Sequence, residues 1–103
     1  PRFRFELPQA IAKTEANVPI VRGKVPLLII LDEEVKRYVT EQRYEIVFFV
    51  DFRFAAEVDE GYSPYKWVWD SRTARNGERI ITVNVATLTG QVESASLKVL
   101  VKN

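Results

Sequence analysis

Apolar and polar residues alternate along most of this 103-residue chain, with a period of two. That is the signature of half-buried strands, in which successive side chains project from opposite faces. Phe3, Phe5 and Leu7 share one parity and predict a strand ending at Pro8, and Asn17-Val18-Pro19 predicts a turn. The almost wholly apolar run 25–31 predicts a strand covered for much of its length on both faces. In the longest β-type stretch, 44–58, Ile46, Phe48 and Val50 point toward a core. Val47 and Phe49 fall on the other side, so either another segment covers them or they form a contact surface. Tyr65, Trp67 and Trp69 then share one face, and side chains of that size bury roughly 150–250 Å² each, enough to anchor the core of a small domain. After a polar connection closed by Asn76-Gly77, Ile81, Val83 and Val85 supply a further inward row. A turn at 87–90 precedes a last row of Leu97, Val99 and Val101.

The segment 32–43 follows a different rhythm. Asp32 is placed to cap a helix, Glu33 and Glu34 suit its first turn, and Val35, Tyr38 and Val39 recur at helical spacing. About two turns of helix are the expectation there. Val35, Arg37 and Val39 also alternate, so an irregular loop with a short strand is the competing reading. Six or seven evenly spaced strands without a long helix predict an all-β antiparallel sandwich, because each sheet presents one apolar face that a second sheet must cover.

Composition narrows the function classes. Hydrophobic residues make up 47% and charged residues 28%, a globular balance, and residues 1–103 are expected to form a single domain. Fifteen basic and fourteen acidic residues nearly cancel and are scattered, so the basic stripe of a nucleic-acid binder is missing. Without cysteine there is no disulfide framework or thiolate metal site. Without histidine the commonest general base and transition-metal ligand are gone too. No apolar run approaches the roughly 18 residues of a bilayer-spanning helix. Methionine is absent even from position 1, so the chain is expected to be a processed product or a segment of a larger protein.

An ordered series of short stretches carries a further signal. Ile46-Val47-Phe48-Phe49-Val50-Asp51 is a valine-containing strand ending in a valine-aspartate pair. Pro64-Tyr65-Lys66-Trp67-Val68-Trp69-Asp70 follows, then Asn76-Gly77, 81–85, Gly90, and 97–101 with Asn103. In order and spacing the chain from about residue 21 onward resembles the bacterial immunoglobulin-like (Big-type) domains found in tandem on secreted and cell-surface proteins. The resemblance implies an immunoglobulin-like β-sandwich of about seven strands, a bacterial extracellular location, and neighbouring domains of the same polypeptide as partners. Three departures fall in connections. Phe52 replaces the glycine that usually follows the valine-aspartate pair, so a tight hairpin is expected to give way to a longer excursion. Thr87 stands where an aspartate is common, and 32–43 is longer than usual.

Candidate chemistry is sparse. Asp51 and Asp70 invite an acid/base or cation reading, but a glycosidase-type pair must flank a cleft. The plainer reading is that each accepts backbone hydrogen bonds at a strand end. Asp32, Glu33, Glu34, Asp59 and Glu60 offer oxygen ligands without EF-hand spacing, as a solvated acidic loop would. Ser63, Ser71, Ser94 and Ser96 have no histidine to activate them, and four glycines form no phosphate loop. Trp67 and Trp69 would suit a sugar platform if exposed, but their register with Tyr65 assigns them to the core. The expectation is a non-catalytic structural, spacer or interaction module with no cofactor or metal. The alternative is a carbohydrate- or protein-binding accessory module using Phe49, Tyr62, Asp59 and Glu60.

Overall fold

The computed structural model describes residues 3–8, 12–31, 44–58, 65–87 and 92–103. The expectation of helix at 32–43 and the turns at 59–61 and 87–90 fall wholly or mainly outside them. The period-two pattern becomes nine strands among the described residues. They are β1 (Phe3–Glu6), β2 (Ala12–Lys13), β3 (Pro19–Val21), β4 (Lys24–Leu31), β5 (Tyr44–Val50), β6 (Arg53–Val58), β7 (Tyr65–Asp70), β8 (Gly77–Thr87) and β9 (Val92–Val101). Three form one sheet in the order β1-β4-β7, and six form the other in the order β2-β3-β9-β8-β5-β6. The fold class is the expected all-β sandwich, with more strands than expected and one parallel pair, β3 with β9.

The inward rows are those the alternation predicts. Val25, Leu27, Ile29 and Trp69 from the small sheet face Ile46, Phe48, Ile81, Val83, Val85, Val99 and Val101 from the large one, all buried. Phe3 joins them from β1. Near the middle, Phe48 stacks on Trp67 with ring centroids 4.3 Å apart and planes 24° from parallel. Tyr65 tilts against the same ring at 6.2 Å. Such pairs add to the area they bury because the rings' quadrupoles favour offset contact.

Two expectations are corrected. The run 25–31 is covered on one face only: Val25, Leu27 and Ile29 are buried, whereas Pro26, Leu28 and Ile30 are half-buried on the outer side. β4 is central, but β1 pairs with it only from Leu28 to Leu31. At Pro26 the strand therefore has a neighbour on one side alone, which accommodates a residue with no N–H to donate.

The second correction concerns 44–58, which is a hairpin rather than one long strand with an excursion. β5 and β6 pair antiparallel from Val50↔Arg53 onward, leaving Asp51 and Phe52 as a two-residue loop. Both have positive φ, 51° and 65°, the pattern of a type I′ turn, whose twist matches that of the strands. Asp51 makes the turn possible by extending the ladder on its other side. Its N–H donates to the Ile80 carbonyl at 2.8 Å, and its Oδ1 accepts from the Ile80 N–H at 3.0 Å. Phe52 is thus held in a left-handed conformation that usually goes to glycine, with 72% of its surface exposed. At Ala55 a bulge adds one unpaired residue to β6.

Between β7 and β8 the chain crosses sheets through a single 3₁₀ turn, Ser71–Thr73. Asp70 caps it, accepting from the Arg72 N–H at 3.1 Å. Ser71 is buried and donates its hydroxyl to the Gly23 carbonyl at 2.7 Å. Asn103 then ties three segments together. Its Oδ1 accepts from the Gly23 N–H at 2.7 Å, its Nδ2 donates to the Ser71 carbonyl at 3.2 Å, and its backbone N–H donates to Asn76 Oδ1 at 2.9 Å. Asn76-Gly77 therefore does not close a hairpin; Asn76 holds the chain's end while Gly77 opens β8. The hairpin β2–β3 is closed at Thr14–Asn17, where Asn17 has φ 65°, and Pro19 begins β3.

Three predictions follow from these contacts. Trp69→Ala leaves a cavity between the sheets and should lower the unfolding free energy by about 3–5 kcal/mol in urea titrations. Phe52→Gly should raise it by about 0.5–1 kcal/mol at an unchanged urea slope, since glycine adopts the left-handed turn without strain. The Arg72 side chain, followed by its backbone N–H, holds the Asp70 carboxyl at about 2, below its ordinary 3.8. Because the folded pKa is the lower one, the contribution is complete above about pH 4 and is lost as pH falls through about 2. Unfolding titrations should therefore show wild type and Asp70→Asn differing most above about pH 4 and converging only as pH falls below about 2.

Candidate functional site

Asp51 and Asp70 are already committed, and Asp32, Glu33, Glu34, Asp59 and Glu60 lie outside the described residues. Asp51 has the Ile80 N–H on one oxygen and Arg79 Nε 3.5 Å from the other. Asp70 takes Arg72 in a two-pronged pair, Nε to Oδ1 and Nη2 to Oδ2, both 2.9 Å. Each accepts a backbone donor beside a strand end, as the plainer reading holds, and each is matched by its own arginine. The hydroxyls of Ser71 and Ser96 are likewise engaged, with Gly23 and Thr82. Among the described residues no group of three or more His, Cys, Asp or Glu side chains is placed to hold a metal ion.

Of the proposed binding residues, Tyr62, Asp59 and Glu60 lie outside the described residues. Phe49 sits half-buried on the outer face of the large sheet, opposite Thr82 of β8 and Phe54 of β6. Val47 is half-buried beside it, between Asn84 and Glu57. The aromatic exposure lies nearby, at Phe52 and at Phe54, which is 64% exposed. Reading 44–58 as one strand hid both, because their positions depend on where the chain turns back.

The feature that the alternation pattern did not reveal is a cleft at one edge of the sandwich. β7, the last strand of the small sheet, lies over β5 through the Phe48–Trp67 stack. β6 lies one strand further out, so the large sheet overhangs the small one on that side. Beneath the overhang is a cleft of about 330 Å³ lined by Val50, Arg53, Phe54 and Ala55 on one side and by Trp67, Trp69, Thr73 and Ala74 on the other. Trp69 is a core residue, 5% exposed, and Trp67 is half-buried, so the indoles serve the core and also line this cleft. Arg53 brings the charge and has no salt-bridge partner among the described residues. Thr73 spends its hydroxyl on the Asp70 carbonyl at 2.7 Å.

No protein-family model matches the chain, and no curated protein matches it. Among solved structures it is similar to the fibronectin(III)-like modules of CbhA from Clostridium thermocellum. The TM-score is 0.61 and the identity 15%, over 97% of this chain and 96% of that one. What the two share is the fold: a two-sheet β-sandwich of the fibronectin(III)-like kind.

Proposed function

We propose that the chain is a non-catalytic β-sandwich module of a larger bacterial secreted or cell-surface protein, whose work is to separate and orient its neighbours. Residues 1–103 act in this reading as one immunoglobulin-like domain. The observation that carries it is where the chain enters and leaves. Phe3 pairs with Leu31 at one end of β4, and Asn103 is bonded to Gly23 just before the other end. The eight residue steps from Gly23 to Leu31, at about 3.3 Å each, place entry and exit roughly 26 Å apart, at opposite poles of the sandwich.

A spacer also needs a fixed exit angle. The hydrogen bonds of Asn103 with Gly23, Ser71 and Asn76 bind the last residue to both sheets, so the departing chain inherits the sandwich's rigidity. Among the described residues, side chains from both sheets form one buried cluster. The sequence resemblance to tandem bacterial immunoglobulin-like domains and the fold shared with bacterial fibronectin(III)-like modules both support an extracellular, modular setting. No helix among the described residues is long and apolar enough to cross a membrane.

Solution scattering on the chain carrying a folded reporter domain at each end tests the proposal. The expected result is an extended particle with the reporters on opposite sides of the module. Asn103→Ala should broaden the distribution of their separations while the module remains folded. Reporters in mutual contact, or a separation indifferent to Asn103, would count against a spacing role.

A further inference from the structure

The cleft beneath the β6 overhang is lined by Trp67, Trp69 and Arg53, whose side-chain N–H groups have no carboxylate partner among the described residues. Trp69 is 95% buried by its 5% exposure and lines the cleft, yet its indole N–H meets no hydrogen-bond acceptor among the described residues. The same holds for the indole N–H of Trp67. Buried tryptophans ordinarily find a partner for that group, and each exception in a folded protein calls for an explanation. Arg53 adds a guanidinium without a carboxylate partner among the described residues, on the facing wall. The rest of the lining is Val50, Phe54, Ala55, Ala74 and Thr73, whose hydroxyl donates to the Asp70 carbonyl.

We propose that this cleft binds the carboxylate of a small ring compound. The anion would pair with Arg53 and take up the indole N–H donors, while the ring lies against Val50, Ala55 and Ala74. The chemistry follows from the donor set: a planar guanidinium recognises a carboxylate in two-pronged fashion, and an acceptor-rich group suits unpaired N–H donors. A cleft of about 330 Å³ lies at the small end of the range for ligand sites, which limits the occupant to a single ring with its acid group. The two carboxylates at this end of the molecule, Asp51 and Asp70, are each neutralised by their own arginine, so they do not cancel the attraction of Arg53. Aromatic acids and sugar acids share this chemistry. The site borders the crossover at the Asn103 pole, through Thr73 and Ala74, but none of the Asn103 hydrogen bonds uses a residue of its lining.

Titrating the chain with benzoate and with glucuronate, each beside its uncharged counterpart, benzyl alcohol or glucose, tests the proposal. Binding is read from the two indole N–H resonances and from tryptophan fluorescence. At least one acid should shift the indole resonances saturably, with a dissociation constant on the order of millimolar. Arg53→Gln should weaken it by about tenfold without changing the melting temperature, because Arg53 is exposed. A response to benzoate alone identifies an aromatic acid, and a response to glucuronate alone a sugar acid. No saturable shift for either acid up to about 50 mM, or equal shifts with the uncharged counterparts, would overturn the proposal.

Discussion

The sandwich depends on the two sheets burying each other's apolar faces, and the Phe48–Trp67 stack lies near the centre of that contact. A six-stranded and a three-stranded sheet cannot match in width, so something must decide which strands of the large sheet the small one covers. The ring contacts of Phe48 with Trp67 and Tyr65 set β7 above β5. Once that is fixed, β6 must overhang and the cleft on that side must exist. The same indoles that hold the layers together therefore define the wall of the candidate ligand site.

Hydrogen bonds do at one pole what apolar burial does in the middle. Gly23, Asn103 and the Ser71/Asn76 connection come from three places far apart in the chain and satisfy one another's backbone groups where the crossovers meet. Buried backbone donors and acceptors left unmet would be costly, and short polar side chains are well suited to reach them. The consequence is that Asn103 is held to both sheets, at the opposite end of β4 from Phe3.

The Asp51-Phe52 turn shows a different balance. Aspartate tolerates the left-handed conformation and is rewarded with the Ile80 and Arg79 contacts, whereas Phe52 is strained and largely exposed. Ladder hydrogen bonds on both sides of β5 outweigh that local cost. Reading Phe52 as incompatible with a tight hairpin weighed the residue's own preference and not the pairing that overrides it.

What the sequence determined by itself was the parity of each strand. Alternation is a local property, and it correctly placed Ile46, Phe48, Trp69, Ile81, Val83, Val85, Val99 and Val101 inward, and with them the fold class. It also assigned Asp51 and Asp70 to backbone hydrogen bonding, which both make. Tertiary structure alone decided the rest. Whether β4 was covered on one face or two depended on what lay above it, the hairpin at Asp51-Phe52 on pairing with β6 and β8, and the cleft on one sheet being wider than the other. Those are relations between strands distant in the chain, and no periodicity within a strand encodes how many neighbours it will have.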